Sequence, residues 1–319
     1  MDSNERLPET LTEAIRFFTD ADVCLAFVAK LRWPNGVTCP RCAAPEPMFL
    51  STRRLWKCRG CKKQFSVKVG TIFEDSPLGL DKWLPALWMV VNCKNGISSY
   101  EMARALGVTQ KSAWFMNHRI RLAVQEGTFE PMSGEVEIDE TFIGGKARNM
   151  HKAERERKIT GTGGMGKTAV MGLLERHGSD GHSKVRAKVV PNVRRSTLRP
   201  EIQENVTEGS EVFTDALKSY ADLSDAYTHA VIDHAECYAK GKVHTNGLEN
   251  FWSLLKRSIK GTYVSVEPFH LFRYLDEQSF RFNTRKLSDG MRFLGAAVGI
   301  IGKRLTYDAL TGKGEGQTT

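Results

Sequence analysis

The chain has no long run of apolar residues. The nearest to one, Trp83–Val91, is interrupted by Pro85 and falls far short of the roughly 20 residues that cross a bilayer. The first ten residues, MDSNERLPET, are polar and of mixed charge, which argues against a signal peptide. No internal repeat is present either, which disfavours a repeat architecture. We therefore expect a cytoplasmic protein with no membrane partner.

Acidic residues are in deficit. Asp and Glu number 37 against 46 Lys and Arg, which gives a net charge of +9 and a pI near 9.2. This balance favours a nucleic acid or another polyanion as partner, although charge alone is a weak indicator. A length of 319 residues allows two or three domains.

Cysteines are few, but four of them form two C-x-x-C pairs: Cys39 with Cys42, and Cys58 with Cys61. Such pairs aim two thiolates at one point, and two pairs complete a tetrahedral Zn²⁺ site. Four free thiols or two disulfides are the alternatives. A site closed by four thiolates has no position for water, so this zinc ribbon is expected to bind and not to catalyse. Its basic residues would face a polyanion: Arg41, Arg53, Arg54, Lys57, Arg59, Lys62 and Lys63.

A pair of helices is predicted after the ribbon. Ser98-x-x-Glu101 is a capping-box pattern that opens a helix at Ser99–Leu106, and a second helix follows from Gln110 to Val124. The pair resembles a helix-turn-helix. An ordinary helical hairpin between two domains is the alternative. The polar residues of the second helix expected to face DNA are Lys111, Asn117, His118, Arg119 and Arg121.

Beyond Gly134 the pattern changes to short β-like runs mixed with helices, which predicts an α/β domain with a mixed sheet. The predicted strands are 135–143, 168–174, 185–190, 212–214 and 229–232. The predicted helices are 197–205, 219–225 and 246–259. The tail after Leu310 is expected to be disordered.

Gly161-x-x-x-x-Gly166-Lys167-Thr168 matches the P-loop pattern. A P-loop needs a strand before its glycines and a helix after them, so that backbone amides and the helix dipole meet phosphate. Here a charged stretch precedes the glycines and a strand-like run follows them. Nucleotide binding is therefore disfavoured.

Three acids carry the candidate chemistry. Asp139 lies in an alternating strand pattern, Asp215 ends the strand-like run EVFTD, and Glu249 follows thirty-four positions later on an amphipathic helix. Asn246, Glu249 and Lys256 share one polar face of that helix, beside its apolar stripe. Converging carboxylates suit a hard divalent cation, and Lys256 would hold a phosphate nearby. A solvated polar face is the alternative.

These motifs together resemble the bacterial insertion-sequence transposases of the ISXO-like type. The resemblance spans about residues 15–286 and rests on RWPNGVTCPRC, EIDETFIGGK, FTDALKSY, HTNGLENFWSLLKRSIKGTY and RYLDEQSFRFNTR. It implies a ribonuclease-H-like DDE core in which Asp139 and Asp215 are the first two metal ligands. Either Glu249 or Asn246 would be the third. Glu140 should point to the opposite face of its strand, and His234 and His244 are more often structural in such loops.

The resemblance also implies a function. A transposase of this type would bind the inverted-repeat ends of its element and the target DNA, as a dimer or larger assembly associated with the nucleoid. It would use two Mg²⁺ or Mn²⁺ ions for phosphodiester cleavage and strand transfer. The rival classes are a non-catalytic DNA-binding protein and, less favoured, a P-loop NTPase. The expected division is an N-terminal helical segment (1–32), the ribbon (33–70), the helix-turn-helix region (78–127), the catalytic domain (133–290) and a C-terminal extension (291–319).

Overall fold

The computed structural model describes residues 7–125, 130–145, 150–159, 164–178, 181–221, 223–232 and 243–313. The chain divides into two compact units. The first comprises Met1–Gln125 together with Lys286–Thr319, and the second is Glu126–Arg285. The predicted division into five parts is finer than these two units and stays a prediction. Within the described residues, no helix has both the length and the apolar character that a membrane crossing requires.

The helices, in chain order, are α1 (Leu11–Phe17), α2 (Ala21–Arg32), α3 (Leu80–Asn92), α4 (Ser99–Leu106), α5 (Gln110–Ala123), α6 (Lys152–Lys158), α7 (Arg195–Asn205), α8 (Asn246–Ser258), α9 (Leu271–Asn283), α10 (Asp289–Val298) and α11 (Tyr307–Thr311). The strands are β1 (Met48–Leu50), β2 (Leu55–Lys57), β3 (Gln64–Phe65), β4 (Glu135–Ile143), β5 (Thr168–Glu175), β6 (Lys184–Val190), β7 (Glu211–Asp215) and β8 (Thr228–Ile232).

The ribbon of the first unit is a small antiparallel sheet in the order β1-β2-β3. Trp56 at its centre pairs with Phe49 on one side and Phe65 on the other. Trp33 packs edge-on against the rings of Trp56 and Phe65. This aromatic cluster supplies the core that so short a sheet could not build from its strands alone.

The predicted helix pair is confirmed as α4 and α5. The Ser98 side chain accepts a hydrogen bond from the Glu101 amide, and the Glu101 carboxylate accepts one from the Ser98 amide, so the capping box is complete. Gly107 ends α4 in the left-handed conformation, with φ of 65°. Farther upstream, the expected N-terminal helical segment contains two helices, α1 and α2, because Asp20 caps the start of α2.

The chain beyond Lys286 returns to the first unit. The amide of Ile72 donates to the carbonyl of Ile300, and the amide of Gly302 donates to that of Gly70. The ammonium of Lys303 donates to three carbonyls at the end of α5, those of Leu122, Ala123 and Gln125. The C-terminal segment therefore caps a helix near the middle of the chain. The predicted disordered tail begins with ordered residues, since α11 continues to Thr311; residues 314–319 lie outside the described ranges.

The prediction that α5 presents its polar residues to DNA is wrong for four of the five residues named. Asn117, Arg119 and Arg121 are buried, with 2%, 5% and 2% of their surfaces exposed, and His118 is fully buried as well. The guanidinium of Arg119 donates to the carbonyls of Ile72, Glu74 and Leu305. These residues hold the first unit together, and only Lys111 of the predicted set is exposed.

We predict that Arg119→Met lowers the free energy of unfolding by about 3 kcal/mol, because three buried carbonyls lose a charged donor. Chemical denaturation of the full chain measures this. Lys111→Met on the same helix is the matched control and should stay within about 0.5 kcal/mol of wild type. Wild-type stability of Arg119→Met, coupled with lost DNA binding, would restore the original prediction.

The second unit contains one mixed five-stranded sheet in the order β6-β5-β4-β7-β8. The first three strands pair antiparallel, whereas β4, β7 and β8 run parallel. All five predicted strands are confirmed to within a residue or two at each end. β6 runs in the same direction as β4, so the carboxyl ends of β4, β6, β7 and β8 lie at one edge of the sheet, which we call the carboxyl edge.

Helices cover both faces of this sheet. On one face, Leu198 and Ile202 of α7 pack with Val136, Ile138 and Met171. The apolar stripe of α8 packs on the other face with α9 and the residues Val170, Leu174 and Val185. The predicted stripe is confirmed: Leu248, Phe251, Trp252 and Leu255 of α8 belong to this cluster, together with Ile259 just after the helix.

Some elements differ from the prediction. The helix α9 was not predicted, and the helix expected over 219–225 is instead a pair of short 3₁₀ turns, Lys218–Tyr220 and Leu223–Asp225. Lys167 leads directly into β5, so the residues after the P-loop-like glycines form a strand, as predicted. Of that motif, residues 161–163 lie outside the described ranges.

Candidate functional site

The four cysteines form a compact thiol cluster in the ribbon. All four sulfur atoms lie within 4.8 Å of one another. Cys39 Sγ is 3.8 Å from Cys61 Sγ, and Cys42 Sγ is 3.5 Å from Cys58 Sγ. Four thiolates bound to one Zn²⁺ at about 2.3 Å would have sulfurs about 3.8 Å apart, so the cluster fits a structural zinc ion.

The backbone of the ribbon supports thiolates at this point. Amides of Gly60 and Cys61 point at the sulfur of Cys58. The backbone hydrogen bond from Ala44 is the largest cause that lowers the pKa of Cys42 to about 6. Ala43 and Lys62, one residue after each pair, take the left-handed conformation that closes the two knuckles.

We predict that Cys58→Ser loses the zinc ion and that its ribbon unfolds, because a structural site with three thiolates binds Zn²⁺ far more weakly. Zinc content per chain, measured by atomic emission, tests this. Cys24→Ser is the control, since the buried Cys24 thiol bonds to the carbonyl of Phe18 outside the cluster. Equal zinc content in the two variants would contradict the site.

The second candidate site lies toward the carboxyl edge of the second unit. β4 and β7 are paired in register through Glu137 and Phe213. Two residues farther along each parallel strand are Asp139 and Asp215, so the two carboxylates occupy equivalent positions on neighbouring strands. Asp139 points toward α8, where the indole of Trp252 donates a hydrogen bond of 2.8 Å to its Oδ2. Gly172 pairs with Asp139 across the sheet, and a Cβ there would lie 2.5 Å from the Trp252 ring.

Electrostatics tie α8 to this pair of aspartates. Burial raises the pKa of Asp139, the hydrogen bond from Trp252 opposes the rise and the charges of Asp215 and Glu249 assist it, so that the pKa lies at about 6. Burial lowers the pKa of Lys256, and the charge of Asp139 opposes that change. The structure therefore places Asp215, Glu249 and Lys256 each within electrostatic reach of Asp139.

The two candidates for the third metal ligand are both exposed on α8. Asn246 is the first residue of the helix and Glu249 lies one turn later. Among the described residues, the 4.8 Å convergence seen for the cysteines is reached by no group of three carboxylates. The choice between Asn246 and Glu249 therefore stays a prediction.

Glu140 lies on the other face of β4. Its carboxylate accepts a hydrogen bond of 2.6 Å from the hydroxyl of Tyr220, which belongs to the cluster under α7. Burial raises the pKa of Glu140, the hydrogen bond from Tyr220 opposes the rise and the charges of Asp215 and Asp139 assist it, so that the pKa lies at about 7. Glu140 is thus a half-buried neighbour of the aspartates on the opposite face of the sheet.

Sequence reasoning missed the group that holds the start of α8. Glu137, only 1% exposed, accepts a hydrogen bond of 2.9 Å from the backbone amide of Leu248. Its other oxygen bonds to Arg176 at 2.7 Å, and Arg176 also donates to the carbonyl of His244. A Cβ on Gly247 would lie 2.8 Å from the Glu137 carboxylate, so a larger residue there would displace that carboxylate from the start of α8.

A signal for this group was present in the alternation of β4. Glu137 and Asp139 are two residues apart, so both face α8. The His244 ring lies 2.8 Å from an Arg176 nitrogen, which agrees with the structural role expected of it. His234 lies outside the described residues.

We predict that Glu137→Ala destabilises the second unit by about 3–5 kcal/mol, because it removes the buried carboxylate that pairs with the buried guanidinium of Arg176. Glu135→Ala is the matched control on the same strand. Its carboxylate lies 3.4 Å from Arg176 and is 26% exposed, so its loss should cost no more than about 1 kcal/mol. Denaturant midpoints measure both, and equal losses would contradict the capping role of Glu137.

Comparison with known proteins defines the class first. Residues 131–283 match the profile of an ISXO2-like transposase domain, and residues 19–64 match that of a transposase zinc-ribbon domain. The two matches cover the sheet with its acids and the cysteine ribbon, and they identify a transposase. The chain belongs to the family of ISXO2-like insertion-sequence transposases, which confirms the resemblance found in the sequence.

Two relatives have similar sequences. An uncharacterized protein in transposable element ISH50 of Halobacterium salinarum is 29% identical over 256 residues, which are 76% of this chain and 84% of the relative. An uncharacterized transposase-like protein of Haemophilus influenzae is 35% identical over 117 residues, which are 36% of this chain and 94% of the relative.

Proposed function

We propose that this transposase cuts DNA at the ends of its own insertion sequence and joins the freed 3′-hydroxyl groups to target DNA. The observation that carries the proposal is the equivalent placement of Asp139 and Asp215 on neighbouring parallel strands, with Glu249 of α8 within electrostatic reach. The sheet supports the same conclusion. Numbered from β4, its strand order is 3-2-1-4-5 with the second strand antiparallel, as expected of a ribonuclease-H-like core.

The donor set fits hard divalent cations. Asp139, Asp215 and either Glu249 or Asn246 would hold Mg²⁺ or Mn²⁺ through oxygen atoms alone, and these ions prefer oxygen ligands. When bound, the ions would stabilise the charge that develops on a phosphodiester during in-line attack. Raised by burial and by neighbouring acids, the pKa of Asp139 is a further sign of a site suited to positive charge.

The protein's own residues would orient the reacting groups. Trp252 fixes one oxygen of Asp139, so the other stays directed away from the indole. The amide of Leu217 holds Oδ1 of Asp215 at 3.1 Å. Lys256, two turns after Glu249 on α8, would bind a DNA phosphate beside the acids.

Recognition of the element ends would fall to the first unit. The ribbon contains many basic residues, and Lys111 is exposed on α5. A phosphate contact from these groups would position the duplex in a salt-dependent manner. Cutting two ends together implies a dimer or larger assembly on DNA, acting in the cytoplasm at the nucleoid.

We predict that Asp139→Asn and Asp215→Asn each slow metal-dependent cleavage by at least about a thousandfold, since each removes a ligand charge worth several kcal/mol in the transition state. Cleavage of a duplex carrying the element end, in Mg²⁺ and in Mn²⁺, measures this alongside binding, which should persist. In the same assay, Glu249→Gln and Asn246→Ala distinguish the third ligand. Specific binding by wild type without any cutting would instead support a non-catalytic DNA-binding protein.

A further inference from the structure

Cations cluster around the start of α7. Arg194, Arg195 and Arg199 line a shallow cleft together with Ser196, Pro200 and Gln203. Arg194 and Arg195 are exposed, and Arg199 lies 3.8 Å from Asp225. Lys218 is also exposed and begins the 3₁₀ turn after β7. We call Arg194, Arg195, Arg199 and Lys218 the arginine patch.

The arginine patch lies at the same edge of the sheet as the aspartates. β6 ends at Val190, at the carboxyl edge, and leads through four residues into α7. The hydroxyl of Ser219 donates to the carbonyl of Val193 at 2.6 Å, which joins the start of α7 to the turn after β7. Because Ser219 is four residues after Asp215, their Cα atoms are at most about 14 Å apart.

Helix stability does not account for these charges. The first turn of α7 contains no acidic residue, and its N-cap position is Arg194, which makes no side-chain capping bond. Positive charges near a helix N-terminus oppose the helix dipole and cost stability. Positive charges placed against this local rule point to a role in binding.

A second group of cations lies on the opposite face. Lys256 of α8 is within electrostatic reach of Asp139, and also of Lys260 and Lys167. α8 and α7 cover opposite faces of the sheet. The aspartates at the carboxyl edge therefore have cations on both sides, one group above the sheet and one below it.

We propose that the arginine patch binds the phosphodiester backbone of DNA that continues past the aspartates, so that the bound strand crosses the carboxyl edge from one face to the other. This inference rests on the proposed function. Guanidinium groups match phosphate oxygens with paired hydrogen bonds, and a run of regularly spaced anions suits cations spread along an edge. Such contacts position the DNA and carry no sequence preference.

The salt dependence of binding tests the arginine patch. Full-length Arg194→Gln, Arg195→Gln and the double variant are titrated with a duplex carrying the element end between 50 mM and 1 M salt. Each lost phosphate contact should make the slope of log K against log salt shallower by about 0.9, hence by about 1.8 for the double variant. The loss should be the same on a scrambled duplex.

Lys184→Gln is the matched control, because Lys184 begins β6 at the opposite end of the same strand. Its slope should equal that of wild type. An unchanged slope in the double variant would overturn the proposal that the arginine patch binds DNA. A change in the Lys184 control as large as that in the double variant would overturn it too. Cleavage of the same duplex by wild type is scored separately. Its failure would count against the proposed function, while the slopes still decide whether the patch contacts DNA.

Discussion

The bond between Glu137 and the start of α8 is the contact on which the acidic site depends. A buried carboxylate accepts the Leu248 amide and pairs with Arg176, which in turn holds the carbonyl just before the helix. Two charges buried together are costly to desolvate, and the energy is recovered only when every donor and acceptor is satisfied. The rotation and height of α8 are therefore fixed at its first turn. This contact therefore also fixes the positions of the polar residues later on the helix, such as Glu249 and Lys256.

Close packing of α8 against the sheet further fixes the position of the helix. Gly172 leaves room for Trp252 against the sheet, and Trp252 then reaches Asp139 with its indole nitrogen. The same helix thus carries an apolar stripe that fixes its depth and an indole that orients one acid. An acid in this position is partly withdrawn from water, which accounts for its raised pKa.

Local features were predicted well from the sequence, and long-range ones were not. The strands around Asp139 and the capping box at Ser98 follow from patterns within ten residues, so they could be found without a structure. The burial of Arg119 could not, because its partners Ile72 and Leu305 lie 47 and 186 positions away. Glu137 escaped notice for the same reason: its amide partner lies 111 positions along the chain. Charged residues on an amphipathic helix look solvent-exposed until the rest of the chain supplies carbonyls for them.

The distribution of charge in the second unit follows from its sheet. β7 ends with Asp215 toward the carboxyl edge, and Asp139, in the middle of the longer β4, lies beside it because the two parallel strands are paired in register. Cationic side chains at the same strand positions would form ion pairs with the acids. Cations at this edge lie instead on the helices that cover the two faces of the sheet. Lys256 belongs to α8 on one face, and the arginines at the start of α7 lie on the opposite face. A polyanion that crosses this edge would meet positive charge on both sides, and the like-charged acids would stay apart until a cation lies between them.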